Sequence, residues 1–203
     1  MFSGIIEAQS KITKVTVLKN SCRIEVTRPK TFKDIGVGDS IATNGVCLTI
    51  EAFTPTKIQF CLGTETLKIL GSQFALWKKY PLNLERSLQF GQRVHGHLVT
   101  GHVDAKALIV KSYKDGECWQ IQIEIPENLK PYFWKKGSVC LNGVSLTVNE
   151  FKKTKKRSYL EVCLIPETIL ATNLMNYKEK EYLNIEADYL VKAYIESRAK
   201  ELS

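Results

Sequence analysis

Short runs in which β-branched and aromatic residues alternate with polar ones recur along the chain. In the first half they are IEVT (24–27), SIATNGVCLTIEAF (40–53) and KIQFCL (57–62). In the second half they are WQIQIEI (119–125), SVCLNGVSLTVNEF (138–151) and SYLEVCLI (158–165). A period of two sends alternate side chains to opposite faces, the pattern of a strand with one face in a core. Gly, Pro, Asn or Asp bound the runs and interrupt the ladder there. The two longest runs are broken at Asn44-Gly45 and Asn142-Gly143. Both residue types tolerate φ > 0, so each run reads as a hairpin closed by a tight turn.

The pattern changes at the end of the chain, ADYLVKAYIESRAKELS. Leu190, Val191, Tyr194, Ile195 and Leu202 recur at helical spacing, Asp188 can cap the start, and no Gly or Pro interrupts. The spacing predicts a helix of about 13 residues with one apolar stripe. No third domain is available to cover that stripe, which invites self-association.

The strand pattern is duplicated. NGVCLT (44–49) matches NGVSLT (142–147) at every position but one. In the same order, SGIIEA (3–8) matches TGHVDA (100–105), Glu65-Thr66 matches Glu167-Thr168, and LNLE (82–85) matches LNIE (183–186). The spacing between copies grows by four residues between Thr147 and Glu167, where the stretch KKTKKR lies, so that stretch reads as a lengthened turn. The chain therefore divides into halves at 1–97 and 98–188 and a tail at 189–203. The fold expected is all-β: two tandem small antiparallel barrels of about six strands each, whose closure removes exposed edges, followed by the helix.

Composition narrows the function. The chain has 203 residues, 44% hydrophobic and 25% charged, which suits a core-forming protein. It has no apolar run of about 18 residues and its N-terminus, MFSGIIEAQSK, lacks the features of a secretory signal, so the expected compartment is the cytoplasm. The net charge of +8 owes much to Lys152, Lys153, Lys155, Lys156 and Arg157 in one six-residue stretch. Only Phe151 and Tyr159 flank it, so a basic turn accounts for it and neither a nucleic acid nor a membrane is expected as a partner. Six cysteines without a CxxC pair read as reduced thiols, mostly small core residues. His95, His97 and His102 have no acidic or thiol partner at ligand spacing, so no metal site is expected. GxGxxG, P-loop and GxSxG motifs are absent from the sequence.

A duplicated binding module implies two similar pockets, so the informative positions are those where the copies differ. Ile5 becomes His102, Cys47 becomes Ser145 and Ser87 becomes Asp188, whereas Ser40 matches Ser138 and Thr49 matches Thr147. Each has a plain structural alternative: Cys47 an inert core residue, His102 a histidine bound to backbone, Asp188 a helix cap, and Thr49 and Thr147 ordinary strand residues. Glu65 and Glu167 can simply begin short helical turns. The residues alone support two similar small-molecule pockets, one better equipped for proton transfer.

Taken together, MFSGIIE, GDSIATNGVCLT, LNLERSLQFGQRVHGHLVTGHVDA, NGVSLTV, LIPET and NIEADYLVKAYIE resemble riboflavin synthase of the α-chain type, in order from Met1 to about Glu196. The resemblance implies a homotrimer in which each subunit carries two six-stranded antiparallel Greek-key barrels and a helix that joins the trimer. It implies a dismutation of two 6,7-dimethyl-8-ribityllumazine molecules to riboflavin and 5-amino-6-ribitylamino-uracil, without metal or redox cofactor. The site would lie between the first barrel of one subunit and the second barrel of a neighbour. Lumazine synthase enters as a further partner.

By motif match, Ser40 and Cys47 would supply or orient a nucleophile or a water, a partly ionised thiol being the more capable. His102 would shuttle protons, Thr147 would support the same face, and Asp188 would join them. The match assigns Gly4, Ile5, Ile6, Cys47, Leu48, Thr49, Cys61, Leu62, Gly63, Thr64, Glu65 and Thr66 to the first pocket. To the second it assigns Gly101, His102, Val103, Lys136, Ser145, Leu146, Thr147, Cys163, Leu164, Ile165, Pro166, Glu167 and Thr168. Backbone as well as side chains would pair with the donors and acceptors of the ring edge. Ser3 and His95 stand where the family more often has Thr and Gly. A non-catalytic lumazine or flavin carrier on the same double barrel is the rival reading, and it needs shape but no proton shuttle.

Overall fold

The alternating runs form antiparallel ladders in the computed structural model, which describes residues 1–154 and 157–201. The first half contains β1 (Ala8–Ser10), β2 (Ile12–Val17), β3 (Ser21–Thr27), β4 (Ser40–Thr43), β5 (Val46–Phe53) and β6 (Lys57–Gly63). Helices α1 (Thr64–Leu70) and α2 (Phe74–Lys79) then lead to β7 (Leu82–Arg86). The second half contains β8 (Ala105–Asp115), β9 (Cys118–Ile125), β10 (Ser138–Leu141), β11 (Val144–Lys153), β12 (Ser158–Leu164), α3 (Pro166–Ala171) and β13 (Tyr182–Ala187). Helix α4 (Tyr189–Glu201) follows.

The second half is a closed barrel in the order β10-β11-β12-β9-β8-β13. The first half repeats that order in a curled sheet, β1-β7-β4-β5-β6-β3-β2, whose count is seven because the counterpart of β8 is broken at Lys11. The long strand β8 spans both neighbours by taking a bulge between Ile109 and Lys111. In the first half the break does the same work: β1 pairs with β7 and β2 with β3, and the Lys11 carbonyl accepts from Thr27 N–H at 3.1 Å.

Within each half the alternation sorts side chains as expected. On β5, Val46, Leu48 and Ile50 enter a core with Ile24, Ile41, Phe60, Leu62 and Trp77, while Cys47 and Thr49 face outward. On β11, Val144, Leu146 and Val148 join Ile109, Ile123, Leu160 and Ile185 in a second core. The outward faces explain a departure from expectation. Only Cys22 and Cys140 are buried, and Cys47, Cys61, Cys118 and Cys163 are partly exposed; all six are free thiols. The expectation of mostly core cysteines fails because Cys47, Cys61 and Cys163 occupy the strand positions that alternate with the core.

Both Asn-Gly pairs are turns with positive φ: 47° and 79° at Asn44-Gly45, 46° and 83° at Asn142-Gly143. The two turns also meet, since a Cβ on Gly45 would lie 2.7 Å from Gly143 N. Around this contact the repeat becomes a reciprocal network. Asn83 donates its N–H to Asn44 Oδ1 at 2.8 Å and its side-chain amide to the Asn142 carbonyl at 3.0 Å. Asn184 donates its N–H to Asn142 Oδ1 at 2.8 Å and its amide to the Asn44 carbonyl at 2.8 Å. All four asparagines are buried, where a broken pair would leave a polar group unsatisfied. Thus NGV and LN recur together because each half supplies one side of the same bonds. Phe2 and Val99, bridged by mutual N–H to carbonyl bonds of 2.7 and 3.0 Å, pack with Ala42 and Cys140 between the halves.

In the hairpin β11–β12 the first arm is two residues longer than in β5–β6, 10 against 8, and the second arms are equal at 7, so part of the insertion expected as a lengthened turn extends β11. Lys155 and Lys156 of its basic turn lie outside the described residues; Arg157 pairs with Glu124 at 2.9 Å. Helix α4 has the expected 13 residues, and Asp188 Oδ1 accepts from Leu190 N–H at 2.9 Å, so Asp188 does cap it. Tyr189, Leu190 and Tyr194 of α4 are exposed, and Leu202 lies outside the described residues. Among the described residues no helix is long and apolar enough to cross a membrane.

Candidate functional site

Two buried glutamates place the segments that begin each half. Glu85 accepts from Ser3 N–H at 2.7 Å, Ser3 Oγ at 2.8 Å and Gly4 N–H at 3.0 Å. Glu186 accepts from Thr100 N–H at 2.8 Å, Thr100 Oγ1 at 2.7 Å and Gly101 N–H at 3.1 Å. Burial pushes both carboxyls above their ordinary value, and these donors pull them back. Held this way, each segment reaches across to the other half. The Gly101 carbonyl accepts from Cys47 N–H at 2.8 Å, and the Gly4 carbonyl accepts from Ser145 N–H at 2.8 Å.

Glu186→Gln is expected to destabilise the fold by about 1–3 kcal/mol, because an amide N–H would then face a donor. Thermal unfolding measures it, and an unchanged midpoint would remove Glu186 from this role. A raised folded value also has a sign. The folded state binds the proton more tightly, so stability falls as pH rises from the ordinary 4.5 through the raised value. The Gln variant is expected to lose that part of the slope.

The crossing sets the segment of His102 against Cys47 and the segment of Ile5 against Ser145. Cys47 is half-buried beside Gly101, and His102 follows with an exposed side chain and its N–H on Thr100 Oγ1 at 3.2 Å. Ser40 and Thr49 are register partners on β4 and β5, as Ser138 and Thr147 are on β10 and β11. Next to Ser40 runs Ser87, whose N–H reaches the Ser40 carbonyl at 3.3 Å. Asp188 holds the matching place after β13. Ile5, the counterpart of His102, lines a cavity of about 630 Å³ with Glu7, Ser40, Glu85, Arg86 and Ser87, closed by Gln89, Gln92, Arg93 and His95 from the linker. Ile5 therefore keeps company with Ser40 of its own half, whereas Gly4 meets Ser145 and Gly101 meets Cys47 of the opposite half.

Other sequence-predicted residues separate by face. Leu48, Leu62, Leu146, Leu164 and Val103 send side chains into the cores, so only their backbone can meet a ligand. Thr49 and Thr147 are exposed on the outer face. Cys61 shares its face with Glu51, whose carboxyl the Arg23 guanidinium at 2.9 Å holds below the ordinary value. Gly63 precedes α1, where Thr64, Glu65 and Thr66 form the first turn, and Thr64 Oγ1 donates to the Asn20 carbonyl at 2.8 Å. Thr64 also lines a more apolar cavity of about 440 Å³ with Leu18, Cys22, Leu67 and Phe74. Ile165 is exposed ahead of Pro166, Glu167 and Thr168 in the first turn of α3, while burial and the adjacent Cys118 raise the Cys163 thiol. Lys136 is exposed in a positive-φ turn, φ 70°, and donates its N–H to Val148 O at 2.7 Å. Cys47, His102 and Cys61 line neither cavity; His102 is exposed, and Cys47 and Cys61 are half-buried.

The repeat pattern in the sequence does not single out His97. His97 Nδ1 lies 2.7 Å from Ser145 Oγ; burial lowers its basicity and the Asp188 carboxylate opposes that shift. Its position in the linker hid it, because the repeat comparison begins at Thr100.

Comparison with known proteins decides the family. The lumazine binding domain matches residues 3–87 and again 100–188. Riboflavin synthase of Photobacterium phosphoreum is 36% identical over 97% of this chain and 88% of its own length. That of Mycobacterium tuberculosis strain H37Rv is 36% identical over 97% of this chain and 96% of its own. The chain belongs to the riboflavin synthase family. Among solved structures, LumP complexed with riboflavin superposes with a TM-score of 0.81 at 20% identity, covering 92% of this chain and 99% of that one. LumP complexed with 6,7-dimethyl-8-(1'-D-ribityl) lumazine gives 0.79 at 20% identity, with the same coverage. At that identity the likeness shows the fold alone, a closed barrel and a curled sheet of the same strand order. The matched segments are the two halves that the Asn network ties together, so the family's duplication and the reciprocal bonds coincide.

Proposed function

We propose that this family member is a riboflavin synthase, a transferase that moves a four-carbon unit between two 6,7-dimethyl-8-ribityllumazine molecules. The products are riboflavin and 5-amino-6-ribitylamino-uracil. The observation that carries this reading is the similarity to riboflavin synthases over nearly the whole chain. Two like ligands need two like pockets, and unequal fates need unequal side chains; the copies differ at Ile5 and His102, Cys47 and Ser145, and Ser87 and Asp188. LumP, on the same fold, takes both the lumazine and riboflavin.

In this reading residues 1–97 and 98–188 are the two lumazine-binding repeats and 189–203 is the trimerisation helix. The methyl carbon at position 7 of one lumazine is acidic because its anion delocalises into the ring, so a histidine can remove its proton. His102 takes that role, with Thr147 and Asp188 on the same side. Ser40 and Cys47 supply or orient the nucleophile that adds at position 7 of the other lumazine. The exposure of Thr49 and His102 beside half-buried Cys47 fits a site completed by a neighbouring subunit, and the exposed Tyr189, Leu190 and Tyr194 of α4 fit a homotrimer. The reaction as proposed uses no metal or redox cofactor, runs in the cytoplasm, and draws its substrate from lumazine synthase.

Incubation of the purified protein with 6,7-dimethyl-8-ribityllumazine alone is expected to yield one riboflavin per two lumazines consumed, followed by absorbance. Tight binding without turnover would make the protein a carrier instead. Sedimentation is expected to show a trimer, and an active monomer would overturn the intersubunit site.

A further inference from the structure

His97 meets the NGVxLT motif at the one position where the two copies differ, Ser145 in place of Cys47. The contact is built into the backbone. A Cβ on Gly96 would lie 2.1 Å from the Ser3 carbonyl and 2.7 Å from Ser145 Oγ, so only glycine lets the chain pass this close. His97 N–H donates to the Ser3 carbonyl at 3.2 Å, and Ser145 N–H donates to the Gly4 carbonyl at 2.8 Å. Both partners of the 2.7 Å side-chain bond are thus held by their own main chains. Leu146 on the next position of β11 is buried and Thr147 after it is exposed, so Ser145 belongs to the outer face that Thr147 presents. Burial disfavours the charged imidazole, against the opposing Asp188 carboxylate, and the neutral ring carries a lone pair on one nitrogen.

We infer that His97 is a positioning residue of the second barrel's pocket. It accepts the Ser145 hydroxyl proton at Nδ1 and so turns the Ser145 oxygen into a fixed acceptor for the ring N–H of a bound lumazine. A thiol at the matching place, Cys47, is a poor acceptor and has a different task, so the His97–Ser145 pair helps make two similar pockets hold the same ligand unequally. The inference rests on the lumazine reading of the pocket.

Steady-state kinetics on four variants test it. His97→Leu and Ser145→Ala are each expected to raise KM about tenfold with kcat changed less than about threefold, the effect of one neutral hydrogen bond. The double variant is expected to be no worse than either single one, because the two act through one bond. His97→Asn, whose side-chain oxygen can stand in for Nδ1, is expected to restore KM to within about threefold of the parent protein. Three results would overturn the inference: multiplying effects in the double variant, a fall in kcat rather than a rise in KM, or Asn no better than Leu. A parent protein without turnover would instead overturn the synthase reading. The same pattern is then read in lumazine dissociation constants from fluorescence titration, which still decides the role of His97.

Discussion

Gly101→Ala is expected to destabilise the protein by about 2–4 kcal/mol and to remove most of its activity. The residue has φ 79°, a conformation that disfavours a side chain by about 1–2 kcal/mol, and its Cβ would lie 2.7 Å from Cys47 Cβ and 2.9 Å from Cys47 N. The clash is with main chain and with a Cβ, so no flexible end can move aside; relief requires the segment after Thr100 to leave β5. That separation breaks the bond from Cys47 N–H to the Gly101 carbonyl and shifts His102 with it. Gly116→Ala is the natural comparison. Its φ is 60°, but nothing lies within 4 Å of the added carbon, so only the conformational term of about 1 kcal/mol applies. Thermal unfolding of the two variants separates the contributions, and equal losses would show that the docking of Gly101 on Cys47 adds no stability.

His102→Ala is expected to lower kcat about 100- to 1000-fold while the melting temperature stays close to that of the parent protein. The side chain is exposed and its main-chain N–H bond to Thr100 does not need the imidazole, so folding loses little. Removal of a positioned acid–base group accounts for the rate. Lumazine turnover measured at saturating substrate checks this. A variant with an unchanged rate would transfer the proton-removing role away from His102, and Asp188→Asn would then be the next substitution to measure, since Asp188 is the acid that stands where the first half has Ser87.

How much of this was legible in the chain differs between fold and site. Strands such as Ser158–Leu164 were visible because their alternation is local: each side chain declares its face from its two neighbours. The break of the first strand at Lys11 was not, since it is set by two pairing partners, β7 and β3, that lie far apart in sequence. The duplicated LNLE and LNIE segments were seen as a repeat but not as a mechanism. Their Asn and Glu side chains find their partners about 40 and 80 residues away, and no local rule announces such bonds. Likewise Cys47 stands out in the sequence as an asymmetry, but only the fold shows that it leaves the core of its own half and lies half-buried against the opposite half.

Taken alone, the amino-acid sequence determined the two-fold repetition, the strand pattern within each copy, the turns at Asn44-Gly45 and Asn142-Gly143, and the terminal helix with its Asp188 cap. These follow from short-range periodicity and backbone preference, which a few consecutive residues suffice to express. Only the tertiary structure decided that Gly101 lies on Cys47, that Gly4 lies on Ser145, and that His97 closes on Ser145 from the linker. Those contacts follow from buried Glu85 and Glu186, which hold the two leading segments in place: a buried carboxyl needs donors, and each finds them more than 80 residues away in its own half, a pairing that only the folded half can make.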